Sequence, residues 1–336
     1  MISYKSAGVD ISKADKLVKR LQEKLPGIGG FGGIFPLPLK EYKEPLLVAS
    51  TDGVGTKLMV AQMMNNHKTV GIDLVAMVVN DLAACGARPL FFLDYYSVGK
   101  LNISHAEQVL AGIMEGCRLA ECSLLGGETA ELPGVYDEGH YDMAGFGVGI
   151  VEKVKIIDGS RIKPGNLLIG IPSSGLHSNG YSLARKVLID KEKLPLNKKC
   201  GGMKKPLGKI LLEPTKIYSP LMVELAEKRL VRGMAHITGG GIPGNLNRIL
   251  PENIDAQINV SKWKIPEIFK LIAEKGPVTK KEMFKTFNMG IGLIIALSRR
   301  NKIRVMEICS DYGYKPAVIG EAVEGSGNVV LGNSSI

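Results

Sequence analysis

A short run at residues 50–57, STDGVGTK, combines a carboxylate, two glycines and a lysine directly after the apolar sequence PLLVA. Glycine amides and a lysine are groups that hold phosphate, whereas Asp52 would repel phosphate unless a cation lies between them. The run therefore predicts a nucleotide-phosphate site at which Asp52 binds a metal. A turn in which Asp52 bonds only its own loop is an equally simple interpretation. The expected phosphate contacts are Gly53, Gly55, Thr56 and Lys57.

Polar residues also interrupt the most apolar helix that the sequence predicts, over residues 69–85. Asp73 and Asn80 are seven positions apart and share one face, and Asp81 lies beside it. Burying carboxylates in so apolar a helix is costly unless they are paired or metal-bound. We therefore expect Asp73 and Asp81 to bind the metal, with Asp73 and Asn80 close to the nucleotide. The alternative is that these residues form an unusually narrow exposed stripe.

A third acidic site lies within residues 126–134, GGETAELPG. We expect a strand to end at Gly126 and Gly127, whose backbone would approach the nucleotide, and Glu128 to supply a further oxygen ligand. Magnesium accepts a few carboxylates together with substrate phosphates. A polar loop before the turn at Pro133 is the alternative interpretation. The predicted metal ligands are Asp52, Asp73, Asp81 and Glu128.

Neutral loops in the second half of the chain are suited to an anion that brings no metal. Residues 173–180, SSGLHSNG, join a predicted strand to a helix, and residues 238–241, TGGG, follow another strand. Exposed amides at helix starts bind phosphate. His177 is a candidate acid or base, or else a residue that only completes its loop. The expected substrate contacts are Ser173, Ser174, His177, Ser178, Asn179, Thr238, Gly239, Gly240, Gly241 and Asn288.

One further glycine run has the wrong context for a dinucleotide site. Residues 27–32, GIGGFG, match the spacing GxGxxG but follow a predicted helix rather than a strand, so a Rossmann fold is not predicted. The sequence also contains no Walker loop of the form GxxxxGK[ST]. Any nucleotide site must therefore be built differently, and we expect Gly29 and Gly30 to contribute to it.

Composition sets broader limits on what the chain can be. Its 336 residues are 45% hydrophobic and 23% charged, which is typical of a globular protein long enough for two domains. The five cysteines contain no CxxC pair, so neither a zinc knuckle nor a disulfide framework is predicted. No apolar run is long enough to span a membrane, and residues 1–15 have no apolar signal core. We expect a cytoplasmic protein.

Strand and helix patterns alternate along both halves of the chain. We expect two mixed α/β domains, at residues 1–162 and 163–336, separated by the turn-rich stretch 158–165. The lysine-rich stretch 191–209 is expected to be a mobile linker. The predicted strands are 46–51, one ending at 125, 90–98, 141–152, 167–171, 233–237, 255–260, 290–297, 317–321 and 328–331. The predicted helices are 12–25, 69–85, 104–122, 178–189, 217–228, 266–275 and 302–312.

Seven segments in this order closely resemble the aminoimidazole-ribonucleotide synthetase superfamily. They are YKSAGVDI, TDGVGTKL, GIDLVAMVVNDLAACGARPLFFLDYY, GGETAELPG, SSGLHSNGYSL, HITGGG and TFNMGIG. Within the superfamily, the chain is most similar to the phosphoribosylformylglycinamidine cyclo-ligase family. The resemblance runs along nearly the whole chain.

This resemblance implies an enzyme of purine synthesis that uses ATP and Mg²⁺. It implies ring closure of formylglycinamidine ribonucleotide through an iminophosphate, with ADP and phosphate released. It also implies a homodimer in which N-terminal strands of two chains form a shared barrel, with ATP near that interface. From the loops themselves, we expect the acidic N-terminal domain to bind ATP with Mg²⁺ and the neutral loops of the C-terminal domain to bind the ribonucleotide 5′-phosphate. The residues expected to take part in catalysis are Lys57, Asp81 and His177.

Other functions have weaker support. Selenophosphate synthetases resemble this family but have a reactive Cys or selenocysteine near the N-terminus, whereas the first cysteine here is Cys85. Thiamine-monophosphate kinases share the acidic ATP site but lack YKSAGVDI and LHSNG. A basic protein that binds nucleic acid without catalysis would fit the net charge of +10. However, aromatic residues are only 6% and do not alternate with the basic ones, so a solvated lysine-rich surface explains the charge better.

Overall fold

Two β-sheets with helices packed against them are present in a computed structural model that describes Gly8, residues 10–24 and residues 32–332. The first half contains α1 (Ile11–Lys24), β1 (Pro45–Gly53), α2 (Lys57–Met63), α3 (Lys68–Ala84), β2 (Arg88–Val98), α4 (Ile103–Leu119), β3 (Ser123–Glu131) and β4 (Tyr141–Glu152). The second half contains β5 (Leu167–Pro172), α5 (Tyr181–Arg185), α6 (Leu207–Leu211), α7 (Ser219–Glu227), β6 (Gly233–His236), α8 (Gly241–Leu246), β7 (Ile254–Asn259), α9 (Glu267–Lys275), α10 (Lys280–Thr286), β8 (Ile291–Leu297), α11 (Lys302–Asp311), β9 (Ala317–Glu324) and β10 (Val329–Gly332). None of the helices in these ranges is long and apolar enough to cross a membrane.

The first sheet has the order β1-β4-β2-β3, and the second has the order β10-β7-β9-β5-β8-β6. In the first sheet, β1, β2 and β3 run parallel to one another because β4 is antiparallel to both β1 and β2, and β2 is parallel to β3. The carboxyl ends of these three strands therefore meet at one edge. The predicted mixed α/β fold is confirmed, and its strands form two sheets.

Several local predictions need correction. The sequence patterns did not indicate the short helices α2, α6, α8 and α10, which have seven residues or fewer and too few turns for a clear periodicity. The stretch 191–209, expected to be a linker, packs on the protein: Leu207 is fully buried, and its amide donates to the Lys198 carbonyl. The expected end of β3 at Gly126 was also wrong, since the strand continues to Glu131.

Helix α3 is buried on all sides, between the first sheet, α4 and the second half of the protein. A Cβ on Gly147 of β4 would lie 2.7 Å from Val78 of α3, so this glycine allows the helix to approach the sheet closely. On the other side, a Cβ on Gly112 of α4 would lie 2.0 Å from the Lys68 carbonyl oxygen. The helix is therefore apolar around most of its circumference, and its polar residues Asp73 and Asn80 are fully buried.

A buried ion pair joins α2 to α3 and both helices to the second half. The Lys57 ammonium lies 2.9 Å and 2.8 Å from the two oxygens of Asp73, and neither side chain is exposed. Lys57 also donates to the carbonyls of His177 (2.9 Å) and Glu213 (2.7 Å), which uses all three of its N–H groups. Burial lowers the pKa of Lys57, and the Asp73 charge opposes that shift.

The segment 213–218 completes this contact between the halves. The Thr215 amide and hydroxyl each donate to Asp73 Oδ1 over 2.7 Å. Asn80, two turns further along α3, donates to the Lys216 carbonyl (2.9 Å) and accepts from the Tyr218 amide (2.7 Å). Asp73 and Asn80 therefore hold this segment through buried hydrogen bonds. This role differs from both of the predicted alternatives, a metal site and an exposed stripe.

One row of residues crosses the first sheet and contains two carboxyl groups. Asp52 pairs with Gly145, Gly145 with Asp94, and Asp94 with Gly127. Side chains at paired positions lie on the same face of a sheet, and here it is the face on which α3 packs. A Cβ on Gly127 would lie 2.2 Å from Asp94 Oδ1. Gly127 thus makes room for the Asp94 carboxyl. Burial raises the pKa of Asp94 to about 7, and Glu128 adds to the shift.

Replacing Lys57 by Met should destabilise the protein by about 3–5 kcal/mol, because it leaves the Asp73 charge buried without its partner. The midpoint of urea denaturation at pH 7.5 measures this change. Lys228→Met is the matched control, since it removes a lysine from the exposed pair with Glu224 and should cost less than about 1 kcal/mol. Equal effects of the two substitutions would contradict a structural role for Lys57.

Asp94 should make the free energy of unfolding fall as the pH rises from about 4 to about 7. With a folded-state pKa near 7 and an unfolded value near 3.9, the folded protein keeps a proton that the unfolded chain releases. The contribution is complete below about pH 4 and is lost as the pH passes 7, a change on the order of a few kcal/mol. Asp94→Asn should therefore gain stability relative to the wild type between pH 4.5 and 7.5, as measured by urea denaturation in EDTA. As a control, Asp311→Asn, which changes an exposed carboxylate, should show no such gain in stability. If the stability difference between Asp94→Asn and the wild type does not change with pH, Asp94 is not the group that causes this pH dependence.

Candidate active site

Asp52 and Asp81 approach each other where the end of β1 meets α3. Asp52 is half-buried, and its pKa is raised mainly by burial and further by the Asp81 charge, while a 2.7 Å bond from the Gly53 amide opposes the shift. Asp81 lies 3.0 Å from Nδ1 of His236 on β6. His236 Nε2 is 3.3 Å from the Asn80 amide nitrogen, so a neutral imidazole that donates from Nδ1 to Asp81 satisfies both contacts.

The turn after β1 faces the second half of the protein. Gly55 has φ +69, a left-handed conformation that suits glycine, and it is followed by Thr56, whose hydroxyl lies 3.1 Å from that of Ser182 on α5. Lys57, which was expected to bind phosphate here, points into the protein and is used by the ion pair with Asp73. The turn therefore offers backbone groups and a hydroxyl rather than a lysine.

Residues 173–180 form a loop fixed by its own polar side chains. The Ser173 hydroxyl donates to the Gly175 carbonyl (2.9 Å) and to Asn288 Oδ1 (3.1 Å), and Asn288 Nδ2 donates to the same Gly175 carbonyl (2.9 Å). Three of the expected substrate contacts therefore have partners within the protein. Ser173 and Asn288 bond to each other, and the Ser174 hydroxyl donates to the Pro214 carbonyl (2.6 Å). Ser178 is also buried, 3.0 Å from the Thr215 hydroxyl.

His177 completes this loop from within. It is buried, has φ +62, and its Nε2 accepts from the Ser174 amide over 3.1 Å. That bond leaves the proton of a neutral ring on Nδ1, which has no acceptor among the described residues. Burial lowers the pKa of His177 well below 6.5. At neutral pH, His177 is therefore an uncharged residue that organises the loop and keeps one N–H unused.

Two glycine-containing turns come together where the two halves meet. Asn179 lies beside Met77 of α3, and a Cβ on Gly239 would lie 3.4 Å from Asn179 Oδ1. The amides of Asn179, Gly180, Gly239 and Gly240 have no acceptor within the part of the chain that the structure covers. Four free N–H groups on two neighbouring turns are suited to bind an anion.

The second turn is held by its own contacts. The Asn245 side-chain amide donates to the carbonyls of Gly239 (3.1 Å) and Gly241 (2.9 Å), and its oxygen accepts from the Thr238 hydroxyl (3.2 Å). Gly241 is buried, and a Cβ there would lie 1.8 Å from the Phe284 carbonyl oxygen. Thr238 and Gly241 therefore shape the turn, while Gly239 and Gly240 are its exposed members.

The four carboxylates predicted to bind one metal ion are not assembled in the structure. Asp73 is enclosed by Lys57 and Thr215. Glu128 pairs with Tyr95, so strand alternation directs it to the sheet face opposite that of Asp52. Gly126 and Gly127 lie within β3 rather than in a loop. No group of three or more His, Cys, Asp or Glu residues suited to a metal occurs in residues 10–24 and 32–332. Gly29 and Gly30 lie outside the described residues.

Two residues of this region were missed by sequence reasoning. Asp94 lies in the apolar run FFLDYY, where a single acid in a buried strand is itself a signal. His236 lies in a short predicted strand, and nothing in the sequence indicates its contact with Asp81, which is 155 positions away.

Two family models together match most of the chain. One describes the N-terminal domain of AIR synthase related proteins and matches residues 40–151, and the other describes their C-terminal domain and matches residues 163–333. Among solved structures, a thiamine-monophosphate kinase from Stenotrophomonas maltophilia superimposes with a TM-score of 0.68 at 17% identity, over 96% of both chains. The hydrogenase maturation protein HypE in complex with ATP gives 0.67 at 18% identity, over 94% of this chain and 91% of that one. At these identities the structures establish the fold alone.

Sequence relatives are much closer. The phosphoribosylformylglycinamidine cyclo-ligase of Myxococcus xanthus is 52% identical over 334 residues, which cover 97% of both chains. That of Thermodesulfovibrio yellowstonii is 52% identical over 333 residues, covering 96% of this chain and 97% of the relative. This chain belongs to the phosphoribosylformylglycinamidine cyclo-ligase family.

Proposed function

We propose that the protein catalyses the ATP-dependent closure of formylglycinamidine ribonucleotide to 5-aminoimidazole ribonucleotide, with release of ADP and phosphate. The observation that carries this proposal is the identity of 52% over 97% of both chains with a relative of that name. In the proposed reaction, the formyl oxygen attacks the γ-phosphorus of ATP and ADP leaves. The amidine nitrogen then attacks the activated carbon, and the oxygen departs with the phosphate.

Asp52 and Asp81 are the residues that we propose for Mg²⁺. They are two neighbouring carboxylates. Burial raises the pKa of Asp52, and the Asp81 charge adds to that shift; a divalent cation would relieve the repulsion between the two. Magnesium needs only one or two carboxylates when phosphates and waters complete its shell, so the pair fits this ion. When bound, the ion would neutralise negative charge on the phosphates of ATP. Asp73 and Glu128 are not part of the proposed site.

The remaining negative charge on the substrates must be stabilised by backbone N–H groups, because Lys57 is already paired with Asp73. We assign the 5′-phosphate of the ribonucleotide to the free amides of Asn179, Gly180, Gly239 and Gly240. These groups are held in place by Asn245 and by the 173–177 loop, so they need little reorganisation on binding. The acidic pair and the neutral amides then lie on opposite walls of one cleft between the two halves.

His177 has a positioning role in this proposal rather than an acid–base role. Its pKa lies well below 6.5, and its Nε2 is used by the Ser174 amide, so it has no proton to give at neutral pH beyond the Nδ1 hydrogen of the neutral ring. An unused buried N–H is costly, and a substrate oxygen would be a suitable acceptor for it.

The active unit in this proposal is a homodimer formed through the first sheet. Leu47, Tyr95 and Phe146 lie on the sheet face opposite α3 and are 59%, 42% and 42% exposed, and β1 is an edge strand. Exposed apolar groups on a sheet face are typical of an association surface. Sedimentation equilibrium should give twice the chain mass of 36.2 kDa; a monomer with full activity would contradict this part of the proposal. The cytoplasmic location expected from the sequence also belongs to the proposal.

Of the alternatives considered above, the comparisons favour none. The similarity to a thiamine-monophosphate kinase is one of fold at 17% identity, and a nucleic-acid partner rests only on the net charge of +10.

A coupled assay of ADP release and imidazole formation tests the function. The wild type should turn over formylglycinamidine ribonucleotide with ATP and Mg²⁺. Asp52→Asn should fold normally and lose on the order of 100-fold or more in kcat, with partial recovery at high Mg²⁺. Asp311→Asn, which changes an exposed carboxylate on α11, should retain wild-type kinetics. Unchanged turnover of Asp52→Asn at limiting Mg²⁺ would remove Asp52 from the site, and an inactive wild type would refute the function.

Gly239→Val tests the phosphate assignment. Gly239 has no left-handed φ, and its Cβ position meets only Asn179 Oδ1 at 3.4 Å, so valine is tolerated by the fold but obstructs the free amides. The KM for the ribonucleotide should rise about tenfold or more, equivalent to 1.4 kcal/mol, with little change in the KM for ATP.

Gly244→Val is the matched control for this test. It places the same side chain on α8, where nothing lies within 4 Å, and it should leave both KM values unchanged. A selective loss of ATP affinity in Gly239→Val would reverse the assignment of the two substrates to the two walls.

A further inference from the structure

A cavity of about 260 Å³ lies at one end of the six-stranded sheet and is lined by cationic residues. Its walls come from the turn before β5, the loop between α7 and β6, and the segment between β8 and α11, and Leu230 and Val231 add an apolar part. The cationic residues are Arg161, Lys163, Arg229, Arg232 and Arg300.

Hydrogen bonds between the three segments fix the shape of this cavity. Arg232 Nη1 donates to the Arg161 carbonyl over 2.8 Å, which ties the first segment to the second. Asn301 Nδ2 donates to the Leu230 carbonyl over 2.8 Å, which ties the second segment to the third. The three segments around the cavity are therefore joined to one another by hydrogen bonds.

The charges around the cavity are not neutralised by the protein. None of the five cations has a carboxylate within 4 Å in the described ranges. Asp158 interacts with Arg161 at longer range, but its Oδ1 already accepts from the amide and hydroxyl of Ser160. Ser298 is one of the residues around the cavity, and its buried hydroxyl has no hydrogen-bond partner in the part described. Clustered like charges repel one another, and an unpaired buried hydroxyl is costly.

We propose that this cavity is a binding site for the phosphate groups of a small ligand, separate from the active site. Arginine forks bind phosphate oxygens in pairs, and several of them surround this one cavity. The volume lies just below the range of about 300–1,000 Å³ for whole small molecules, so the cavity takes a diphosphate group and leaves any attached sugar or base outside. A nucleic-acid strand would need an extended basic track, whereas these cations surround one concavity.

The position of the cavity makes it distinct from the cleft described above. Strand β6 begins next to Arg232 and ends at His236, the partner of Asp81. Four residues of extended chain separate the two sites by roughly 13 Å. The cavity and the acidic pair therefore lie at opposite ends of β6.

Titration calorimetry with inorganic diphosphate in EDTA tests the site. The double variant Arg161→Gln/Arg300→Gln removes two exposed cations whose side chains donate no hydrogen bond within the covered residues, so folding should be unaffected. The wild type should bind diphosphate at this site, and the variant should bind it at least about tenfold more weakly, with kcat and both KM values of the enzyme unchanged. Arg161→Lys/Arg300→Lys should recover part of the affinity because the charge is restored without the paired geometry.

Lys199→Gln/Lys204→Gln controls for the change in net charge, since it also removes two exposed cations, and it should bind diphosphate like the wild type. Equal diphosphate affinity in the wild type and the Arg161→Gln/Arg300→Gln variant would overturn the proposal. An equal loss in the lysine control would do so too, because binding would then reflect overall charge. A nucleoside diphosphate that binds more tightly than inorganic diphosphate, with the same loss in the variant, would support the site and show that the attached group is also recognised.

Discussion

The buried pair of Lys57 and Asp73 is the interaction on which the geometry of the cleft depends. Two ionised groups with no exposure are stable only because each fills most of its remaining hydrogen-bonding capacity. The partners that fill it, the carbonyls of His177 and Glu213 and the amide and hydroxyl of Thr215, all belong to the second half. Satisfying the pair therefore fixes the position of one half on the other. The loop that contains His177 is consequently held next to the turn that contains Asp52.

This arrangement separates charges that stabilise the fold from charges that are available for chemistry. Lys57 and Asp73 neutralise each other inside the protein. Asp52 and Asp81 remain at the cleft, half-buried or partly exposed, where a cation would compensate them. The opposite wall provides neutral N–H groups instead of lysines. A cleft built in this way would bind a metal-bound phosphate on one wall and a metal-free phosphate on the other, with little movement of side chains.

The sequence was sufficient to predict the mixed α/β fold, nearly every long element and the family, because hydrophobic periodicity and the order of seven motifs are properties of the chain itself. It was not sufficient to assign roles within the motifs. A buried lysine and a phosphate-binding lysine occupy the same place in STDGVGTK, and only the contact with Asp73 distinguishes them. The two faces of a strand likewise cannot be assigned without its register, so Glu128 was grouped with Asp52 although the sheet separates them. Gly127 was interpreted as a nucleotide contact, whereas in the structure it leaves room for the Asp94 carboxyl. That residue is 33 positions away in the sequence, so the sequence does not indicate the contact.

The central claim is that Asp52 and Asp81 bind the metal while Asp73 serves the fold. Anomalous diffraction from crystals grown with Mn²⁺ and a non-hydrolysable ATP analogue tests this claim most directly, because manganese replaces magnesium at oxygen sites and its position is observed rather than inferred. We expect an anomalous peak within about 2.0–2.3 Å of carboxylate oxygens of Asp52 and Asp81, with Lys57 still paired to Asp73. A manganese ion bound by Asp73, with Lys57 turned toward the phosphates, would contradict the account.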